Sequence, residues 1–286
     1  MRGDLETGFG DFGRVGIGQI PLYVVDSFTS RHFAGNQAGV CLLPAGPWPA
    51  DAWMQGVAAE MRHSETAFLV PKGDAFGLRW FTPTMEVELC GHATLASAHV
   101  LWETGRARAG KPIAFDTLSG RLACVPGADG ITMDFPADPP VAATAPPGLF
   151  AALGCKPVPV VAGERLGNLL LALPDEAAVR ALAPDFAALR KVSDRLAFIA
   201  TAPAADGDGF VCRYFAPAWG IDEDPATGSI QCTLGPYWAP RLGKADVRCR
   251  QLSARGAEMR VRPDGGRVHV TGRGVTTLKG ELLAQP

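Results

Sequence analysis

The sequence predicts a mixed α/β (α+β) fold made of two pseudo-symmetric halves that face one another across a shared cleft. Three observations lead there. Arg79-Trp80-Phe81-Thr82-Pro83 is echoed by Arg213-Tyr214-Phe215-Ala216-Pro217. Each block is followed, in the same order, by an acidic stretch, a helix-starting glycine (Gly91, Gly228), a tryptophan (Trp102, Trp238) and a closing glycine (Gly105, Gly243), which indicates duplication. The span 91–105 is apolar or small on every side through Ala93, Leu95, Ala96, Ala98, Val100 and Leu101, the pattern of a helix buried all round with its domain wrapped about it. Between the halves, 136–148 holds five prolines, a composition that suits neither a helix interior nor a sheet. The expected organisation is a loose Gly-rich tail over 1–19, a first domain over 20–135, a linker over 136–148 and a second domain over 149–286. A terminal strand near 274–283 can cross back to the first domain.

Taken in order, the β-branched and aromatic run at 20–26 predicts a strand, and a turn at Phe33-Ala34-Gly35-Asn36 leads to another at 38–43. Pro49 opens a helix whose Trp53, Val57 and Met61 share one face. Strands at 64–70 and 78–81 precede the buried helix, and strands at 113–117 and 131–135 follow it, with Ser119-Gly120 as a turn. Beyond the linker come strands at 158–161 and 168–172, a helix over 175–192, and strands at 196–201 and 210–215. The acidic corner from Gly220 to Trp238 follows, in which Thr227 or Ser229 can cap a helix. Segments at 248–253 and 258–262 and a hairpin about Asp264-Gly265-Gly266 complete the chain.

Bulk properties restrict the function. With 286 residues and 47% hydrophobic content the chain can bury two cores, and a net charge of −2 without basic runs argues against nucleic acid and membrane surfaces. The seven cysteines form no close pair, and neither they nor the five histidines show metal-ligand spacing. Reduced thiols in a cytoplasmic protein are expected, with no signal peptide, no membrane span and no metal.

The chemistry concentrates at two corners. Facing helix N-termini at Gly91 and Gly228 can hold an anionic group, and the cleft between the halves is the default site. Glu65, at the mouth of a strand, is a candidate proton carrier, since desolvation would weaken its acidity. Its alternative is a turn glutamate. His92 opens the buried helix and can donate to a substrate oxygen or trade a proton, or it is a capping side chain. Asp224 can orient a substrate amine or hydroxyl, while Ser229 and the Gly228 amide can hold a carboxylate. Asp222 and Glu223 fit a solvated rim, and Cys90 a small core residue.

Several blocks in order also resemble the phenazine-biosynthesis PhzF-like family: Phe33-Ala34-Gly35-Asn36, Ser64-Glu65-Thr66-Ala67-Phe68, Arg79 to Pro83, Cys90-Gly91-His92-Ala93-Thr94 and Glu223-Asp224-Pro225-Ala226-Thr227-Gly228-Ser229. The resemblance implies a diaminopimelate epimerase-like fold, with each half a mostly antiparallel sheet or barrel curled around a central helix. It implies cofactor-independent isomerisation of a small molecule, with Glu65 as acid/base, His92 and Asp224 catalytic, and Ser64, Gly91, Gly228 and Ser229 binding substrate. It also implies a homodimer. Gln37 departs from the family, which usually has proline there. Related epimerases use two opposed cysteines, but Thr227-Gly228-Ser229 offers no thiol opposite Cys90, so a two-thiol mechanism is not expected. The competing function is a metabolite-binding or partner-regulating protein that keeps the cleft without turnover.

Overall fold

The echo in the sequence recurs as an echo in strand pairing. The chain is described here by a computed structural model covering residues 19–194 and 196–286. The stretch read as an N-terminal tail lies, except for Gln19, outside the described residues. The first half runs β1 (Ile20–Ser27), β2 (Asn36–Leu42), α1 (Asp51–Met61), β3 (Glu65–Lys72), β4 (Ala75–Phe81), β5 (Glu86–Val87), α2 (Gly91–Glu103), β6 (Ile113–Thr117), β7 (Gly120–Gly127) and β8 (Gly130–Pro136). The second runs β9 (Pro140–Ala142), α3 (Leu149–Leu153), β10 (Val160–Gly163), β11 (Leu169–Ala172), α4 (Glu176–Arg180), α5 (Phe186–Val192), β12 (Phe198–Pro203) and β13 (Phe210–Phe215). A 3₁₀ turn at Pro217–Trp219 leads on to α6 (Gln231–Leu242), β14 (Val247–Gln251), β15 (Ala257–Asp264), β16 (Arg267–Gly272) and β17 (Gly274–Leu282).

In the first half β1 pairs antiparallel with β2, β2 parallel with β3, β3 antiparallel with β4 and β4 parallel with β6, before the antiparallel meander β6, β7, β8. The strands β10 to β16 repeat that series of orientations step for step. Parallel neighbours require a crossover, and helices fill each one. In the first crossover stand α1 and its counterpart, the pair α4 and α5; in the second stand α2 and α6. The halves share one sheet because β8 pairs with β16, while β17 returns to pair along the length of β1.

The second-crossover helices fill the interior. On α2, all residues from His92 to Ala98 are buried, as are Val100 and Leu101. This helix packs on β1, β2, β3, β8 and β17. On α6, Gln231 to Gly235, Trp238 and Ala239 are buried. Pro236 lies inside α6 and cannot bond the Cys232 carbonyl, which accepts instead from Asp138 N at 3.0 Å. No helix among the described residues is long and apolar enough to cross a membrane.

Three local expectations change. The helix expected over 175–192 is two, because Pro184 disfavours helical backbone before it; Asp175 and Asp185 cap the pieces by accepting from Ala178 N and Ala188 N. The proline-rich span does enter the sheet, since β9 pairs with β10 and, among the described residues, with no other strand, and an edge strand tolerates proline. In α1 the buried face is Met54, Val57 and Ala58, with Trp53 and Met61 at its margins.

Candidate active site

The cleft opens where the start of α2 faces the turn into α6. Glycine allows the two corners to meet almost backbone to backbone. A Cβ on Gly91 would stand 3.7 Å from Gly228 Cα, and one on Gly228 would stand 3.2 Å from Phe28 Cζ. Neither helix start is capped by a side chain. Thr227 and Ser229 therefore do not cap α6, contrary to the sequence expectation. Thr227 turns its hydroxyl to Asp224 Oδ2, and Ser229 lines the cleft. At α6 the amides of Gln231, Cys232 and Thr233 already bond back to the Gly228, Ser229 and Ile230 carbonyls, so the backbone that can favour an anion is the start of α2 and the Gly228-Ser229 turn facing it.

All seven residues picked from the sequence, Ser64, Glu65, Gly91, His92, Asp224, Gly228 and Ser229, line this one cavity of about 810 Å³. Its remaining walls are largely apolar, with Val87, Leu89, Phe135, Tyr214, Trp219 and Ile221 among them. Glu65 is the first residue of β3, and its Oε2 lies 3.2 Å from His92 Nε2. That oxygen is buried and makes no hydrogen bond among the described residues, so the two groups approach closely without hydrogen-bond alignment. Ser64 Oγ is 3.3 Å from the same ring nitrogen, and Cys90 Sγ is 3.4 Å from His92 Nδ1. The His92 carbonyl accepts from Ser27 Oγ at 2.8 Å, which holds the first turn of α2 against β1.

Asp224 is held on all sides. Its Oδ1 accepts from Asn36 Nδ2 at 2.8 Å and its Oδ2 from Thr227, while Gln251 Nε2 donates to its carbonyl at 2.7 Å. Asn36 is the residue that sequence reasoning missed. Its amide also donates to Ala226 O at 3.0 Å and stands 3.4 Å from His92 Nδ1, and its Oδ1 accepts from Ser64 Oγ at 3.3 Å. It thus bridges the two corners. The available signal was the preceding Gly35, whose φ of 63° and whose hypothetical Cβ, 2.0 Å from Ser27 O, demand glycine and aim Asn36 inward. Gln37, the departure from the family pattern, bonds His63 Nδ1 through its side chain at 3.0 Å beside the cleft mouth.

Burial dominates the electrostatics. It raises the Glu65 carboxyl above the ordinary range, against smaller opposing hydrogen bonds from Ser64 and Cys90. It pushes Asp224 up to about 6, against His92, Thr227 and Asn36, which favour the carboxylate. Burial lowers His92, so its neutral ring is favoured near pH 7, although the Asp224 charge opposes this. Burial and the Glu65 charge raise the Cys90 thiol well above its usual value. Glu65, Cys90 and His92 bring one ligand atom each within 4.8 Å of one another. What the cleft offers is a weakly acidic carboxyl with a free oxygen, a neutral imidazole, a fixed carboxyl and an anion cradle.

Comparison with known proteins places the chain in a family. A family model described as "Phenazine biosynthesis-like protein" matches residues 25–280. A protein of Halalkalibacterium halodurans named as an uncharacterized isomerase is 43% identical over 264 residues, covering 92% of this chain and 98% of that one. The crystal structure of a PhzF-family phenazine biosynthesis protein from Enterococcus faecalis superposes with a TM-score of 0.87 at 37% identity, over 93% of this chain and all of that one. A hydroxyproline epimerase from Agrobacterium vitis, at 14% identity and a TM-score of 0.60 over 94% of each chain, shares the fold. With the duplicated fold, the paired corners and these matches in agreement, the chain belongs to the phenazine biosynthesis-like PhzC-PhzF family.

Proposed function

We propose that the protein is an isomerase that moves a proton between two carbons of a small anionic, cyclic or unsaturated metabolite, using no cofactor. The observation that carries this reading is Glu65 Oε2: buried, not hydrogen-bonded by any described residue, and belonging to a carboxyl whose acidity burial has weakened. Such a group can take a proton from carbon and return it.

In this reading the substrate carboxylate rests on the amides at Gly91 and Gly228 with the Ser229 hydroxyl, and its apolar body lies against the cleft walls. The Glu65 carboxylate removes a proton from one carbon while the electron pair shifts through the unsaturated frame. Neutral His92 donates to the substrate oxygen where charge develops, and Ser64 steadies its ring. The carboxylic acid formed on Glu65 then delivers the proton to a second carbon, so formula and oxidation state are unchanged. Asp224 orients a substrate amine or hydroxyl. The names of the isomerase relatives support the reaction class.

The test begins with a thermal-shift panel of small cyclic carboxylic acids, followed by proton NMR of each hit in heavy water. Turnover replaces one C–H signal by deuterium with the wild-type protein and none with Glu65→Gln. Unaltered exchange in that variant overturns the assignment, and binding without exchange by the wild type favours a binding protein.

A further inference from the structure

The duplicated Arg-aromatic-Phe-x-Pro blocks build the same device beside each wall of the cleft. Arg79 forks onto Glu86 through Nε and Nη2, both at 2.6 Å, with its guanidinium 5.1 Å from the Phe81 ring centre. Arg213 forks onto Glu223 through Nε and Nη2, both at 2.8 Å, and lies 4.9 Å from the Phe215 ring centre. The third nitrogen reaches the first crossover of the same half in both cases. Arg79 Nη1 meets Asp51 of α1 at 2.9 Å, and Arg213 Nη1 donates to Leu182 O, beyond α4, at 2.7 Å. These forks are sheltered, with the arginine side chains 15% and 12% exposed, whereas the surface pair Arg190–Asp222 is 48% exposed on both sides. Glu223 is thus an anchored residue, not the solvated rim expected from its acidic run.

We infer that Arg213 and Glu223 position Asp224 in the cleft, and that Arg79 and Glu86 hold the facing wall in the same way. The assignment rests on the proton-transfer reading above for what Asp224 is positioned to do. The connectivity carries it. Arg213 and Tyr214 are neighbours on β13, and Glu223 and Asp224 are neighbours on the returning loop. The fork joins the first of each pair, and the backbone bond from Asp224 N to Tyr214 O, 3.1 Å, joins the second. Anchoring Glu223 outward leaves Asp224 directed inward to Asn36 and Thr227. In the first half the register Phe81↔Glu86 and Trp80↔Val87 anchors the loop carrying Thr82 and Met85, and Glu86 stands four residues short of Cys90. That fork therefore sets a wall and not a reacting group. A planar two-nitrogen fork is something lysine cannot reproduce.

The experiment needs no substrate. Protein labelled with carboxyl-13C aspartate is titrated by NMR as wild type, Glu223→Gln, Arg213→Lys and Glu86→Gln, with thermal melting of each. The titratable groups facing Asp224 are His92 and Cys90 at the first corner, Glu65 on β3 and Tyr214 on β13, and none is altered. Glu223→Gln and Arg213→Lys are expected to lower the Asp224 midpoint by about one pH unit as the loop opens to water, and Glu86→Gln to leave it in place. If Glu223→Gln lowers the melting temperature without moving the Asp224 midpoint, or Glu86→Gln moves it equally, the assignment falls. Should Arg213→Lys not fold, Glu223→Gln decides alone. A midpoint that moves in a protein showing no proton exchange with any hit refutes the reaction and leaves the positioning role standing.

Discussion

At the corner before α2, Glu65 keeps one carboxyl oxygen that no described residue bonds, whereas at the corner before α6 both oxygens of Asp224 are engaged, by Asn36 and Thr227. The corners descend from one repeated plan, but these two acids are not counterparts within it, since Glu65 opens β3 and Asp224 follows β13; one is loosely held and the other fixed. A carboxyl that must exchange protons with carbon gains from an oxygen left free, because each hydrogen bond to the carboxylate makes it a weaker base. A carboxyl that only orients gains from being locked. In the proposed reading, this difference in how the two acids are held separates proton carrier from anchor.

The largest effect should come from exchanging the roles. Glu65→Gln is expected to lower proton exchange by at least about 100- to 10,000-fold, read by deuterium incorporation, with little loss of stability, since Oε2 forfeits no hydrogen bond. Asp224→Ala should do the reverse to the fold, leaving Asn36 and Thr227 without their partner at a cost of about 2–4 kcal/mol, measured by urea unfolding near pH 5.

The pH dependence sharpens the contrast. The folded value of Asp224 is raised from 3.8 to about 6, so its contribution to stability is fully present below about pH 4 and is lost as pH rises through 6. Glu65, also raised, has the same sign. His92 is lowered, so its contribution is present above its ordinary value of 6.5 and falls away as pH drops below it. Asp224→Asn should therefore be more stable relative to wild type at pH 7.5 than at pH 4, by on the order of 3 kcal/mol, in paired denaturant titrations. The smallest effect should separate the two glycines. Gly228→Ala pushes on Phe28 at 3.2 Å and should cost about 1 kcal/mol, while Gly91→Ala, whose nearest contact is 3.6 Å, should change thermal stability by less.

Residues whose role depends on near neighbours are legible in the sequence. His92 and Asp224 stand out because an imidazole or carboxyl beside a glycine-opened turn has chemical meaning within a few positions, whereas Glu65 stands out through the family resemblance of its Ser64-Glu65-Thr66-Ala67-Phe68 block. Asn36 does not, because its meaning comes from Asp224, 188 residues away. Thr227 misleads for a related reason. A threonine before a helix can cap it by accepting, but here the hydroxyl donates to the Asp224 carboxylate and accepts from Gln251 Nε2 at 3.1 Å instead. Glu223 reads as rim because its partner, Arg213, lies on a strand ten residues earlier.

By itself the sequence determined the duplicated plan, the helix buried on every side and the residue types at both corners, since periodicity, glycine and proline act over one or two turns of chain. Only the tertiary structure decided which acid is free and which is locked. That distinction arises where β8 meets β16 and β17 returns to β1, joining the halves in one sheet and bringing Asn36 between His92 and Asp224. No local pattern specifies such a contact, because its energy exists only once both halves have folded and excluded water from the space between them.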